Sequence, residues 1–338
     1  MMDAGQTVDA GQTVDAGQTV DAGQTVDAGQ TVDAGQTVDA GQTVDAGHPV
    51  DAGQAVDAGV CGACAQYSAV QNAGAVAVAA LQEISGVAAS RLHPGVLYMH
   101  NDSGGLPSLY LVSTSGAALG ELQLTGATNL DWEDLAVGPG PSGSSVYVAD
   151  LGDNGANRAT PYFVYRVSEP LAVPMSTVAV TPERFELQYP GGAHFDCETL
   201  MVHPTTSDLY VVTKRQFGTK SAAYKATAPL SATSPNVMTL VANLAVPDGL
   251  DLPLTGGDID ACGSAVLLRS YNAIYQFKLG AGPFDGIFTA PFTRVPSAPQ
   301  SLDPSGELQG EAVCWLPGGG YLSVSEGASA MLHTVRCP

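Results

Sequence analysis

Residues 131–150 read DWEDLAVGPGPSGSSVYVAD, and this stretch decides the fold because its pattern occurs five times in the chain. The pattern is a small or acidic pair, an apolar run, a turn rich in Gly, Pro or Ser, and a second apolar run. The other copies begin at residues 83, 196, 256 and 309, which gives a spacing of 48 to 65 residues. Repeats of about this length are typical of four-stranded propeller blades.

Further strand-like runs complete the repeats, such as SLYLVST and GELQLTG in the first copy. The fifth copy ends at Cys337 without a fourth run, whereas the unassigned segment GAVAVAALQ at residues 74–82 precedes the first copy. We therefore predict an all-β propeller of five blades, closed by an outer strand from the residues after Cys64. Six blades are the alternative, if a long connection contains a weak blade. Such closure leaves no open sheet edge at the seam.

Residues 1–60 have a different composition and form a separate region, with the propeller over residues 61–338. They contain no Lys, Arg, Phe, Trp, Tyr, Leu or Ile, and residues 3–44 are seven identical DAGQTV hexapeptides. Gly, Asp, Thr and Val disfavour a helix. Low hydrophobicity and uniform charge are typical of a solvated spacer. The alternative that we favour is an extended, non-globular strand that neighbouring subunits or glycans hold in place.

The hexapeptide also presents one threonine at every sixth position, which predicts O-glycosylation or repeated docking on a neighbouring subunit. The candidate glycosylation sites are Thr7, Thr13, Thr19, Thr25, Thr31, Thr37 and Thr43. Head-to-tail contact between identical copies generates open filaments. The predicted partner is therefore a second copy of this chain.

Charge and hydropathy exclude two classes of partner. The formal net charge is −21, and beyond residue 60 the chain still carries 23 acidic and 12 basic residues. A field of that sign repels phosphate backbones, so we predict no nucleic-acid binding. Nothing approaches 18 consecutive apolar residues, so we predict no membrane span.

The six cysteines form an even set, which predicts disulfides and an extracellular or cell-surface location. They are Cys61, Cys64, Cys197, Cys262, Cys314 and Cys337. The CGAC spacing at the first two also occurs in redox and zinc sites, but a structural bridge fits better because no second CxxC is present. A bridge from either of them to Cys337 would lock the seam of the ring. Cys197 and Cys262 could join neighbouring inner strands, and the pairing stays open.

Five phrases also resemble a known family: DWEDLAVGPG, VADLGDNGANR, DCETLMVHP, DLYVVTK and TGGDI…VLLRSYNAIY. Over about residues 82–327 the chain resembles the phytase-like secreted bacterial β-propellers. The resemblance implies a propeller with acidic residues near its axis and, in the true phytases, calcium and phosphate chemistry. The basic residues that phosphate would need are few: Arg158, Arg166, Lys214 and Arg215 are the candidates.

The acidic residues at the start of the repeats are the candidate metal ligands. Glu133, Glu198, Asp258 and Glu311 occupy this position in the alignment of the repeats, with Ser85 in the first copy. Carboxylates that converge on a channel repel one another unless a cation or proton intervenes, and hard oxygen ligands suit Ca²⁺. The alternative is that each carboxylate caps backbone amides of the next blade.

Other motifs offer less chemistry. The loops HNDSGG and GDNGANR could bind Ca²⁺, but neither matches the twelve-residue calcium loop, and we interpret both as turns. No G-x-S-x-G motif is present, and His194 lies just before DCE without an assigned partner.

The main hypothesis is therefore an extracellular structural subunit of a fibre or surface coat rather than an enzyme. The alternative is a secreted calcium-dependent propeller hydrolase, phytase-like or esterase-like, or a ligand-binding protein on a flexible spacer.

Overall fold

The computed structural model describes residues 61–214, 220–244, 253–301 and 306–338. These residues form five sheets around one channel, each with four antiparallel strands, and confirm the predicted all-β, five-bladed propeller. The hexapeptide repeats and their threonines lie outside the described residues. No helix of the described ranges is long and apolar enough to cross a membrane.

The blades are numbered along the chain, and the strands of each are given from the channel outward. Blade 1 consists of Ile84–Ala89, Val96–Asn101, Ser108–Ser113 and Ala118–Leu124. Blade 2 consists of Trp132–Gly140, Gly143–Asp150, Tyr162–Ser168 and Glu183–Gln188. Blade 3 consists of Cys197–Val202, Leu209–Thr213, Ala222–Ala226 and Thr239–Asn243. Blade 4 consists of Leu254–Ile259, Ala265–Ser270, Ala273–Lys278 and Phe292–Val295. Blade 5 consists of Gly310–Trp315, Tyr321–Ser325, Met331–Val335 and Gln71–Ala75. Two short 3-10 helices, Pro190–Gly192 and Phe284–Thr289, lie in connections.

Blade 5 is completed by the strand nearest the N-terminus of the described chain. Gln71–Ala75 pairs antiparallel with Met331–Val335. The sequence placed this strand at residues 74–82, and only its first two residues lie in the observed strand. The apolar residues that suggested a longer strand have another role, because Val76 and Leu81 are buried in the core between blades 5 and 1.

Two short strands cross from one blade to the edge of the blade before it. Thr177–Val180, in the connection to the outer strand of blade 2, pairs parallel with Ala118–Leu124 of blade 1. Asn236–Val237, in the corresponding connection of blade 3, pairs parallel with Glu183–Gln188 of blade 2. Backbone groups at the outer edges of blades 1 and 2 therefore find partners, which protects those edges from pairing with other chains.

The hydrophobic core lies between the blades, as five clusters that each join two neighbours. Successive strand residues point to opposite faces of a sheet. In blade 3, Leu200 and Val202 therefore pack against blade 2, while Met201 packs against blade 4. Because both faces are covered, the inner strands are nearly continuous apolar runs, as in DCETLMVHP.

Two disulfides join the start of the described chain to the last two blades. Cys61 is bonded to Cys262 and Cys64 to Cys337, over separations of 201 and 273 residues. Cys197 and Cys314 are buried free thiols, so the suggested Cys197–Cys262 bridge is wrong. The inner strands of blades 3 and 4 run side by side in one direction, but Cys197 begins its strand whereas Cys262 follows the end of its own. The two residues therefore lie at opposite ends of the channel.

Candidate metal centre

Every inner strand carries a β-bulge at its second residue. The bulged residues are Ser85, Glu133, Glu198, Thr255 and Glu311. A bulge leaves one residue out of the ladder and re-aims its side chain, and bulges are common beside active sites. The two hydroxyls bridge to the next blade: Ser85 Oγ donates to the Glu133 carbonyl at 2.6 Å, and Thr255 Oγ1 donates to the Gly310 carbonyl at 2.8 Å. The three glutamates are left to line the same end of the channel.

Asp258 does not belong to this set, which corrects the predicted metal ligands. The residue of blade 4 at the bulge is Thr255, and Asp258 lies three positions further along the strand. Its carboxylate accepts N–H groups from Ile259 at 2.8 Å and from Trp315 of blade 5 at 2.9 Å. Burial raises the pKa of Asp258 to about 7. The carboxylate therefore caps backbone amides and joins blades 4 and 5, which is the structural role weighed above.

Three aspartates that the alignment of repeats did not select lie with the glutamates. Carboxylate oxygens of Asp102, Asp131 and Glu133 lie within 4.8 Å of one another, as do those of Glu133, Asp196 and Glu198. Asp131 and Asp196 directly precede the inner strands of blades 2 and 3, and Asp102 directly follows the second strand of blade 1. The six residues Asp102, Asp131, Glu133, Asp196, Glu198 and Glu311 are called the acidic cup below.

One cation reaches the acidic cup in the part of the chain that the structure describes. Lys214 follows the second strand of blade 3, and its Nζ lies 2.5 Å from Glu198 Oε1. Burial opposes the charge on Lys214, but attraction to Glu198 outweighs it, and the pKa of Lys214 is raised. Of the other basic candidates, Arg158 pairs with Asp150 at 2.6 Å, Arg166 pairs with Glu183 at 2.9 Å, and Arg215 lies outside the described residues.

The carboxyl groups of the acidic cup have raised pKa values. Burial raises the pKa of Asp131 to about 6, and it also raises the pKa of Glu198, although the Lys214 ammonium opposes the shift at Glu198. The pKa values of Glu133 and Glu311 are also raised, by burial first and then by repulsion from Glu198. Strongly perturbed carboxylates that converge in a cleft are typical of functional sites.

Glu311 is the carboxylate of the acidic cup that most clearly lacks a hydrogen-bond donor. Its side chain is 9% exposed, and its Oε2 has no hydrogen-bond partner among the described residues. A buried oxygen without a donor carries the full desolvation penalty of that group. A hard cation would satisfy this oxygen together with its neighbours, and an all-carboxylate donor set suits Ca²⁺.

Asp134, next to Glu133 on the inner strand of blade 2, connects neighbouring blades. Its carboxylate accepts N–H groups from Leu135 at 2.8 Å and Leu200 at 3.0 Å, and the Gly257 N–H approaches to 3.4 Å. These groups belong to blades 2, 3 and 4, so one fully buried side chain joins three blades. Burial raises the pKa of Asp134.

The loops and histidines near the acidic cup have mainly structural roles. In GDNGANR, Asp153 Oδ1 accepts the N–H groups of Asn157 at 2.8 Å and Arg158 at 3.0 Å, which makes this loop a turn. In HNDSGG, burial lowers the pKa of His100 to about 4, so the ring is neutral. His194 does have partners that the sequence did not show: its Nδ1 lies 3.1 Å from Tyr162 Oη and 3.5 Å from Asp153 Oδ2.

The fold and the acidic cup define the chain as a five-bladed β-propeller with carboxylates around one mouth of its channel. No protein-family model matches the chain, and neither does any curated protein.

Solved structures resemble it only weakly. The soluble aldose sugar dehydrogenase from Escherichia coli is 10% identical over 81% of this chain and all of that one, with a TM-score of 0.43. A glucose dehydrogenase is 11% identical over 79% of this chain and 99% of that one, with a TM-score of 0.41. A gluconolactonase from Xanthomonas campestris is 14% identical over 80% of this chain and 89% of that one, with a TM-score of 0.39. Likenesses of this strength carry no argument about activity. The propeller that the family resemblance implied is present in the structure, whereas the phytase-like assignment lacks support.

Proposed function

We propose that this protein is a secreted, calcium-dependent ester hydrolase whose metal centre is the acidic cup. The observation that carries the proposal is the group Glu133, Asp196 and Glu198, whose carboxylate oxygens lie within 4.8 Å of one another and whose repulsion a divalent cation would relieve. Secretion is compatible with the two disulfides. An oxidising compartment is where such bridges persist.

The residues of the acidic cup divide into two roles in this proposal. Glu133, Asp196 and Glu198 form the group that would hold the cation, with Glu311 opposite them on blade 5. When bound, a calcium ion supplies positive charge that polarises an ester or phosphoryl oxygen. Lys214 adds a second, fixed positive charge at the same mouth. A carboxyl with a pKa near neutrality, as at Asp131, can give or take a proton at working pH.

The test compares two ester probes in chelated and calcium-loaded protein. We expect hydrolysis of p-nitrophenyl acetate or p-nitrophenyl phosphate to disappear in EGTA and return with added Ca²⁺. Activity on the phosphate would support the phytase-like form of the proposal, and activity on the acetate the esterase-like form. Calcium binding by calorimetry without hydrolysis of either probe would leave a ligand-binding protein and overturn the hydrolase.

A double variant tests the location of the ion. Glu133→Gln with Glu311→Gln removes two carboxylates from the acidic cup and should abolish the heat of calcium binding. Glu121→Gln, on the outer strand of blade 1, is the matched control and should bind calcium as the parent does. Unchanged calcium heat in the double variant would place any ion elsewhere.

A second candidate function, the fibre subunit, rests on the seven identical hexapeptides. Identical repeats give identical docking positions at a constant pitch, whereas a passive spacer needs no such identity. The two disulfides fix residues 61 and 64 to blades 4 and 5, so a force on the tail would reach the propeller through covalent bonds.

A further inference from the structure

A cleft of about 160 Å³ with a mixed polar and apolar lining lies over blade 2, on the same face of the propeller as the acidic cup. It is lined by the loop after the second strand, by the end of the outer strand, and by the residues before the inner strand of blade 3. Clefts for drug-sized ligands measure about 300–1,000 Å³. This cleft therefore has room for one small ring and not for an oligomer.

One wall of the cleft is built around Arg158. Its guanidinium donates to Thr160 Oγ1 at 3.1 Å, to the Gly152 carbonyl at 2.9 Å and to Asp150 Oδ1 at 2.6 Å. A guanidinium has five N–H groups, so two remain. Because Thr160 Oγ1 accepts from Arg158, its own hydroxyl proton is left to donate. This wall therefore offers donors that are held in place by a buried ion pair.

The end of the outer strand, which also lines the cleft, offers acceptors as well as donors. Glu186 and Gln188 are two residues apart on the outer strand of blade 2, so they share a face while Leu187 between them is buried. Their side chains hydrogen-bond to none of the described residues. The His194 ring is 41% exposed and is fixed at Nδ1 by Tyr162, which leaves Nε2 directed away from that contact.

The charges of the cleft favour a neutral ligand. Arg158 is compensated by Asp150, and Glu186 together with the nearby acidic cup repels anions. A cation would find one carboxylate among the lining residues, Glu186, which is fewer oxygen ligands than a hard cation takes. A group that both donates and accepts at several points matches the mixed walls best, and hydroxyls do both.

We propose that this cleft is a second ligand site, which binds a neutral ring bearing several hydroxyl groups through Thr160, Glu186, Gln188 and His194. The site is separate from the acidic cup and needs no metal ion. A ligand that lacks the hydroxyls would leave the polar walls unpaired and should be rejected.

The test uses saturation-transfer NMR on the full chain in EGTA, with D-glucose as the probe and cyclohexanol as the control. Both are six-membered rings of similar size, but cyclohexanol has a single hydroxyl. We expect saturation transfer to D-glucose and none to cyclohexanol, and we expect the same result after calcium is added. Equal signals from both rings, or none from D-glucose, would overturn the proposal without bearing on the hydrolase.

Variants then locate the binding. Glu186→Ala with Gln188→Ala removes two polar side chains of the cleft, one half-buried and one exposed, and should weaken D-glucose binding at least tenfold. Thr233→Ala removes an exposed hydroxyl outside the cleft and should leave the affinity unchanged. Circular dichroism checks that both variants are folded. Undiminished D-glucose binding in the folded double variant would show that the probe binds somewhere other than this cleft.

Discussion

Gly152 shows how closely the chain packs around the acidic cup. A Cβ at this position would lie 2.1 Å from Glu133 Oε1 and 2.5 Å from Asp131 Cγ, far inside van der Waals contact. The residue follows the second strand of blade 2, where the backbone must pass beside two carboxylates. Glycine is needed there because a side chain would collide with these carboxylates. Its φ lies outside the left-handed region, so the backbone conformation alone does not require glycine.

Gly152→Ala should therefore displace Glu133 and weaken calcium binding. We expect a loss of about tenfold in affinity, or about 1.4 kcal/mol, measured by calorimetry. Gly280→Ala is the control, since open space surrounds that glycine and calcium binding should not change. Equal calcium affinity in the two variants would contradict the proposed part of Glu133.

The raised pKa values in the acidic cup predict how stability depends on pH. Asp131 keeps its proton in the native state up to about pH 6, whereas its ordinary pKa is 3.8. Between these values the native state binds more protons than the unfolded chain, so stability falls as pH rises. The fall amounts to about 1.4 kcal/mol per pH unit for each such group.

The melting temperature of chelated protein should therefore decrease from about pH 4 to pH 7, the range set by Asp131 and Asp258. Bound calcium should flatten this dependence, because it replaces the protons that separate the carboxylates. Asp131→Asn should reduce the decrease in chelated protein, and Asp258 will contribute equally with and without calcium. A melting temperature that is independent of pH in EGTA would show that the carboxylates are not perturbed as described.

The sequence predicted only part of the acidic cup. Glu133, Glu198 and Glu311 were found because each follows a repeat boundary. The sequence proposed Asp258 in place of Thr255, because an acidic residue matches the other repeats better than a threonine does. The β-bulge that places Thr255 at the equivalent position cannot be recognised from the sequence. Asp102, Asp131 and Asp196 lie at strand ends, and only the ring closure brings them together.

The existence of the strands could be predicted from the sequence better than the residues at which they begin and end. Apolar runs separated by turns identified five blades, because inner strands covered on both faces must be apolar throughout. The closing strand was expected after Cys64, but its bounds were missed, since buried loop residues at Val76 and Leu81 are as apolar as strand residues. The disulfide pairing depends on which strand ends lie on the same face of the propeller. The spacing of the cysteines in the sequence does not show this.

The closing strand Gln71–Ala75 leads to a prediction about solubility. A chain that begins at Val76 lacks this strand and should expose the edge of Met331–Val335, which then pairs with other copies. A chain that begins at Cys61 keeps the strand and should stay monomeric. Light scattering after size-exclusion chromatography distinguishes the two, and a soluble monomer from the shorter chain would be evidence against closure by this strand.

At the scale of the whole molecule, the hexapeptide repeats separate the two candidate functions. If the repeats dock on neighbouring subunits, a chain that begins at Cys61 should fold but form no fibres, whereas the full chain should form them in electron micrographs. Mass spectrometry of tail peptides should show added hexose mass on threonine if glycan contributes. Fibres from the shortened chain, or none from the full chain, would make the repeats a passive spacer.

The ring is reinforced by two different means on its two sides. Parallel edge strands fasten blade 1 to blade 2 and blade 2 to blade 3, whereas disulfides fasten the N-terminal segment to blades 4 and 5. Only the second kind depends on the redox state of the surroundings. Inside a reducing cell the newly made protein would lack the covalent connection between its N-terminal segment and its last two blades. If the protein is secreted as proposed, oxidation after export would add that connection as the last step of its maturation.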